Sequence, residues 1–421
     1  MIQPINDKIT GKNNNFLKWL GVIILVYFLI VAVTLISSGF KLSVGERAEE
    51  LFTFATNPFA GLIVGIMATA LIQSSSTVTS IIVGLVAGGL PVSIAVPMVM
   101  GSNLGTTITN TIVSLGHIGN KEEFRKAFAA ATIHDFFNLL AVLIFLPLEI
   151  TTHFLEKTAL FLAQFLKGTE TPDLTGFNFV EFITVPVLKL MKQVTVNLPQ
   201  PFDGIALITI GIVLIFVSIL YIGKILKSLL INQAKGILNT AMGKNAVFSI
   251  LLGTMVTMLV QSSSTTTSLM VPLAGVGLLS LEKIYPFILG ANIGTCITAL
   301  LAATAVKENA IAALEIALVH FLYNCSGVIL IYGIPFLRKI PIVGAKTLAH
   351  VASEKTYLAL VYLIIVFFVL PILILNISFN PDSALQKVAL NTTSLGFRAN
   401  ASKMWGKLSY NVFRISNYQV I

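Results

Sequence analysis

Gln73-Ser74-Ser75-Ser76-Thr77 lies in a stretch, Leu51 to Asn120, that contains no Asp, Glu, Lys or Arg. Five adjacent hydrogen-bonding side chains at membrane depth need partners, because each unpaired polar group there costs several kcal/mol. The apolar flanks Pro58–Ile72 and Val78–Leu90 are each about 15 residues, short of the roughly 20 needed to cross the hydrocarbon. Two half-helices meeting at a polar turn, a re-entrant hairpin, fit these lengths better than two spans. The alternative is one long helix whose serines bond to carbonyls one turn back.

The same five-residue pattern recurs as Gln261-Ser262-Ser263-Ser264-Thr265, 188 residues later, and its surroundings recur with it. Gly65 is matched by Gly253. Gly101-Ser102-Asn103-Leu104-Gly105-Thr106 is matched by Gly290-Ala291-Asn292-Ile293-Gly294-Thr295, 189 residues on, and His134-x-x-x-Asn138 by His320-x-x-x-Asn324, 186 residues on. A whole unit is therefore duplicated. Glycines around an Asn, followed by threonines, predict local unwinding that frees backbone carbonyls. Gly61 and Gly65 have small-xxx-small spacing, which predicts helix contact.

Of the residues 56% are hydrophobic and 11% charged, and the mean hydropathy is +0.90. An all-α polytopic membrane protein follows. The net charge of +9 is not a nucleic-acid footprint, because the Lys and Arg cluster between apolar runs rather than alternating with aromatics. Cys296 and Cys325 give neither a disulfide framework nor metal-ligand spacing. No Lys or His lies in either polar turn to activate a serine, which argues against an intramembrane hydrolase, and so against an enzyme.

Residues 1–51 hold a polar tail and a first span, Trp19–Ile36; Lys8, Lys12 and Lys18 place the N-terminus inside. A signal peptide is the rival, but the apolar run is long for one and lacks a convincing cleavage site. Residues 52–149 form repeat 1, with spans Pro91–Leu115 and Ala127–Leu148, and residues 150–203 an interfacial segment and outer linker. Residues 204–242 carry the span Gly204–Ile222 and a cytoplasmic loop with Lys224, Lys227 and Lys235. Residues 243–336 are repeat 2, with spans Tyr285–Thr304 and Ile311–Phe336; residues 337–377 hold a loop and the span Tyr357–Leu375. For the tail, residues 378–421, parity gives the outside, whereas Lys387, Arg398, Lys403, Lys407 and Arg414 favour the inside. Three crossings separate the polar turns when each hairpin counts as none, so the second repeat is inverted. Inverted repeats with broken helices are an architecture of secondary transporters, whose sites lie near the midplane.

Facing half-helix N-termini aim N–H groups and positive dipole ends at one point, an anion site that requires no Lys or Arg. Serine hydroxyls add donors suited to a tetrahedral oxyanion. The same hydroxyls, the Gln73 and Gln261 carbonyls and freed backbone oxygens suit a hard cation such as Na⁺, which offsets the anion's charge. Anion–cation symport follows; an anion channel on the same half-helices is the alternative. Asp135 is a rare intramembrane carboxylate and reads as functional. His320 reads as structural, and Glu315 as either a third carboxylate of the site or a neutralised packing residue.

At these residues the chain resembles the type II sodium-dependent phosphate cotransporter family. The likeness covers about 52–149 and 243–375, including both Gln-Ser-Ser-Ser motifs, Glu123-Phe-Arg-Lys-Ala-Phe128 and His134-Asp135-x-x-Asn138. The resemblance implies import of inorganic phosphate with Na⁺ as coupling ion across a cell membrane, with no organic cofactor; it leaves the oligomeric state open. It implies that Ser74, Ser75 and Ser76, with Gln73, and Ser262, Ser263 and Ser264 cradle phosphate. Gln261, Ser262, Thr106, Thr295 and Thr298 would serve Na⁺, with Asn103 and Asn292 nearby and Asn138 at another cation position. An Asp at the place of Asp135 accompanies the electrogenic form, three Na⁺ per divalent phosphate, so that 100 mV contributes about 2.3 kcal/mol per cycle. The linker between halves is short and cysteine-free, as in a bacterial member. Asn120 and Ala291 depart from the Asp and Ser that animal members tend to carry there.

Overall fold

The computed structural model describes residues 5–44, 57–168, 179–241, 245–306 and 309–379. Two units are distinguished, Met1–Ile372 and Leu373–Ile421; of the second, only the end of the last helix is described. The tail of conflicting side, from residue 380 onward, lies outside the described residues. No strand occurs among the described residues.

The helices are α1 (Ile5–Val44), α2 (Pro58–Ile72), α3 (Ser75–Gly88), α4 (Val92–Gly105), α5 (Ile108–Ser114), α6 (Lys121–Thr152), α7 (Phe154–Gly168), α8 (Phe179–Thr195) and α9 (Phe202–Ala241). They continue as α10 (Ala246–Val260), α11 (Ser263–Ser268), α12 (Met270–Gly275), α13 (Leu281–Thr304), α14 (Ala310–Gly327), α15 (Pro335–Glu354), α16 (Tyr357–Ile364) and α17 (Leu370–Phe379). Among the described residues, six helical stretches are long and apolar enough to cross a membrane: Phe16–Ser43, Lys121–Thr152, Phe202–Ile225, Leu281–Thr304, Ala310–Tyr332 and Tyr357–Ile374. They coincide with six of the seven expected spans. The seventh, Pro91–Leu115, is interrupted: α4 stops at Gly105 and α5 starts at Ile108. Its counterpart α13 runs through Gly290–Gly294 without a break, so the expected unwinding is confined to Thr106 and Thr107 of the first copy.

The glycines of those segments have another use. A Cβ on Gly101 would overlap the Leu62 carbonyl of α2, and one on Gly65 would overlap the Met98 carbonyl of α4. In the second copy Gly290 meets the Ile250 carbonyl and Gly253 the Phe287 carbonyl in the same way. α2 therefore lies backbone to backbone on α4, and α10 on α13. Small residues permit this approach where lipid supplies no hydrophobic drive for association. Both short helices begin alike: Asn57 caps α2, with Pro58 in its first turn, and Asn245 caps α10.

Two segments expected as loops are helical. α9 continues through Lys224 to Ala241 as one helix of 40 residues, because nothing from Gly223 to Ala241 breaks it: there is no Pro, and Gly236 stands alone. Arg338, Lys339 and Lys346 sit on α15, which opens on Pro335 and places its small residues Ala345, Ala349 and Ala352 in the core. α1 packs along α9 and contributes the buried Val31, Leu35 and Ile36, so the first apolar segment belongs to the fold.

Replacing Gly101 or Gly290 by Ala should destabilise the protein by about 1–3 kcal/mol, read as a lower unfolding temperature in detergent. Gly116→Ala, where a Cβ meets nothing within 4 Å, should leave that temperature unchanged.

Candidate functional site

Both polar turns are built by the same local rule. α2 ends at Ile72, and Gln73 adopts the left-handed conformation (φ 57°, ψ 29°), its N–H bonding to the Thr69 carbonyl at 2.7 Å. Gln261 does the same after α10 (φ 56°, ψ 26°), bonded to the Thr257 carbonyl at 2.7 Å. A left-handed glutamine terminates each helix where a glycine is the commoner choice. The chain then turns to extended backbone at Ser74 and Ser262, which cap the next helices: Ser74 Oγ accepts from Thr77 N and Ser262 Oγ from Thr265 N, each at 3.2 Å. Two helices thus meet at each turn, rather than one long helix passing through it.

Each capping serine also shares a hydroxyl bond with the threonine three residues on, Ser74–Thr77 at 2.8 Å and Ser262–Thr265 at 2.9 Å. One proton serves each pair, which leaves one hydroxyl proton per pair for a ligand. Gln73, Ser74 and Thr77 line one cavity of about 380 Å³ together with Gln261, Ser262 and Thr265. The tertiary structure has brought residues 188 positions apart to the same space. Ser75, Ser76 and Ser263 are buried behind that lining and Ser264 is half-buried.

α9 closes the cavity with Phe216, Ile219, Leu220, Gly223 and Lys224. Lys224, read from sequence as a loop cation, is its one charged lining residue among the described residues, with Nζ 5.0 Å from the Tyr221 ring centroid. Spacing could have found it: 216, 220, 223 and 224 share one helical face. The two glutamines differ. Gln261 Oε1 accepts from Thr298 Oγ1 at 2.8 Å while its Nε2 donates to the Met258 carbonyl at 2.5 Å; the Gln73 carboxamide has no hydrogen-bond partner among the described residues.

Gln261 and Thr298 are therefore joined as a pair. Thr106 and Thr295 are buried, each hydroxyl donating to the carbonyl one turn back (Ser102 and Ala291, both 3.0 Å), so their lone pairs stay open. Asn103, Asn138 and Asn292 form part of one buried chain. His134 Nε2 meets Asn292 Oδ1 at 2.6 Å, and Asn292 Nδ2 donates to Asn138 Oδ1 at 2.9 Å. Asn138 Nδ2 donates to the Asn103 carbonyl at 2.8 Å, and Asn103 Nδ2 to Asn324 Oδ1 at 2.9 Å. His320 Nε2 closes the far end on Asn103 Oδ1 at 3.1 Å. The two repeats are tied again where Thr267 and Ser268 each donate to Asn110 Oδ1 at 3.0 Å.

Asp135 stands apart from this chain. Its Oδ2 accepts from the Tyr362 hydroxyl of α16 at 2.7 Å, while the buried Oδ1 accepts no hydrogen bond. Tyr362 was invisible to sequence reasoning, since it lies outside both repeats. Glu315 is buried on α14. The nearby group of Glu149, His153 and Glu156 has metal-ligand proximity, but Glu149 already accepts from Leu155 N at 2.7 Å and Glu156 N at 3.1 Å, which caps α7. Both cysteines are free thiols.

A helical protein with crossing segments, whose two alike helix–turn–helix units bring polar turns to one cavity, has the makings of a membrane transport protein. The chain belongs to the Na⁺/Pi-cotransporter family, which matches residues 28–167 and 190–334. It is 35% identical to the human sodium-dependent phosphate transport protein 2B, covering 87% of this chain and 67% of that one. It is 34% identical to the 2A protein of Rattus norvegicus, over 89% and 70%, and 36% identical to the 2B protein of Pongo abelii, over 84% and 64%. The chain thus spans about two thirds of the length of these curated relatives. No solved structure matches it.

Ser74→Ala removes the cap of α3 and should cost about 1 kcal/mol of stability, whereas Ser74→Asn, which keeps an acceptor, should recover most of it; thermal unfolding of the purified variants measures both.

Proposed function

We propose that this chain is a Na⁺-coupled symporter that imports inorganic phosphate across a cell membrane, with its N-terminus in the cytoplasm. The observation that carries the reading is the cavity lined by both Gln-Ser-Ser-Ser turns, on a chain of the Na⁺/Pi-cotransporter family. Phosphate sits between the two turns, held at the cavity by Gln73, Ser74 and Ser262, while Ser75, Ser76, Ser263 and Ser264, which do not line the cavity, complete the two turns that cradle it. The left-over hydroxyl protons of the Ser74–Thr77 and Ser262–Thr265 pairs donate to its oxygens, and the free Gln73 amide can turn toward them. The α3 N-terminus adds unpaired N–H groups and a favourable dipole end.

Cations offset the charge of the anion. One cation set is assigned to the oxygens of Gln261, Ser262 and Thr298, to which Thr106 and Thr295 would add hydroxyl lone pairs, with Asn103 and Asn292 as further amide oxygens and Asn138 at another cation position. The unbonded Oδ1 of Asp135 takes a further Na⁺, so that a divalent phosphate crosses with one net positive charge. The second repeat enters the membrane inverted, each hairpin being re-entrant, and the site alternates between the two sides as the repeats rock. The boundaries 52–149 and 243–336 delimit the moving units. No observation favours an anion channel.

Reconstituted protein should accumulate labelled phosphate under an inward Na⁺ gradient and not under an equal K⁺ gradient; equal uptake in the two removes the coupling. Asp135→Gly should abolish phosphate-evoked current while part of the Na⁺-driven uptake survives, and an undiminished current takes the charge-moving role from Asp135.

A further inference from the structure

The buried chain from His134 to His320 is crossed. The glycine-flanked Asn of each repeat is gripped by the His-x-x-x-Asn pair of the other repeat: Asn292 by His134 and Asn138, and Asn103 by His320 and Asn324. His and Asn in each pair are four residues apart and share one helical face. All six side chains are at most 4% exposed, so no water competes for them.

The donor directions follow from the ends inward. Asn324 Nδ2 donates to the His320 carbonyl at 2.9 Å, which makes its Oδ1 the acceptor for Asn103 Nδ2. Asn103 Oδ1 then faces His320 Nε2, and that nitrogen must carry the proton. In the other arm Asn138 Nδ2 is committed to the Asn103 carbonyl, so its Oδ1 takes Asn292 Nδ2 and His134 must donate from Nε2. Turning any one amide over would set donor against donor along the chain. Because Asn138 reaches the backbone of Asn103, the two arms are one network with one consistent arrangement.

We propose that His134 and His320 are positioning residues that couple the two halves of the transport site: each holds the glycine-flanked Asn of the opposite repeat, so cation occupancy at one half is felt at the other. This rests on the symport reading. The chain passes through α4, α6, α13 and α14; Thr106 directly follows α4, Asp135 lies on α6, and Thr295 and Thr298 lie on α13, so a shift at one oxygen set is transmitted as a change of register at the next.

The test is the Na⁺ dependence of phosphate uptake by the full chain in proteoliposomes, for wild type, His134→Leu, His320→Leu and the double variant, with His320→Gln as the donor-retaining control. Each Leu variant should raise the half-saturating Na⁺ roughly 5-fold or more and flatten its sigmoidicity, and Gln should restore most of both. The double variant should be no worse than the poorer single, because one break already opens the chain. Wild-type Na⁺ saturation in the single variants overturns the proposal, as does a double-variant shift equal to the product of the singles. Should the Leu variants fail to fold, Asn324→Ser, which removes one link by shortening, must show the same loss of sigmoidicity, and an unchanged curve there is equally fatal. Absence of Na⁺-driven uptake in the wild type removes the symport reading and this inference with it; normal wild-type uptake with unaltered variants removes this inference alone.

Discussion

A polar side chain buried among crossing helices has no water to fall back on, and leaving it unpaired costs several kcal/mol. The amide–imidazole chain from His134 to His320 is the consequence of that constraint at the centre of this fold. Two histidines and four asparagines lie in apolar segments of four helices, and they are satisfied mainly by one another. Their pairing sets the relative register of α4, α6, α13 and α14 more tightly than apolar packing alone could, since hydrogen bonds are directional and side-chain volume is not. The glycine contacts extend the order outward: α2 rests on α4 and α10 on α13 through backbone, which carries both polar turns to the same cavity.

The two copies are alike in backbone and unlike in side-chain commitment. Gln73 and Gln261 share a left-handed conformation, yet only Gln261 is tied down, by Thr298 and the Met258 carbonyl. A duplicated frame can therefore serve two ligands, one rigid oxygen set on the second copy and one adaptable amide on the first. The helices after the turns differ too: α3 runs 14 residues, whereas its counterpart is divided into α11 and α12 of six residues each.

Away from the cavity, ion pairs hold α15 against its neighbours. Lys121 meets Glu354 at 2.8 Å and Lys346 meets Glu282 at 2.7 Å. Lys121 beside Glu354 holds that carboxyl below its ordinary value. Both pairs are exposed and contribute modestly; the seating of α15 on α6 comes from the small buried side chains Ala345, Ala349 and Ala352 and the close contact of Gly344 with the Phe136 ring.

Reading the residues in order was enough to find the membrane class, six crossing helices, the duplicated unit and the breaks at both Gln-Ser-Ser-Ser turns. Those features rest on hydropathy, on length against bilayer thickness and on polar residues in apolar company, all of which are local in the chain. Packing alone could reveal what spans long separations. The Gly101 segment looked like a point of unwinding, and the helix does break after it, at Thr106 and Thr107; that Gly101 and Gly290 themselves admit a neighbouring backbone was hidden, because a glycine that loosens a helix and one that makes room are the same letter. Lys224 looked like a loop residue until α9 continued past it and laid it on the cavity. Tyr362 carries no motif, and its bond to Asp135 exists only because α16 packs there. The crossing of His134 onto Asn292 and His320 onto Asn103 was likewise hidden, since a repeated pattern announces that two units are alike but not that each holds the other's asparagine; that depends on which faces meet.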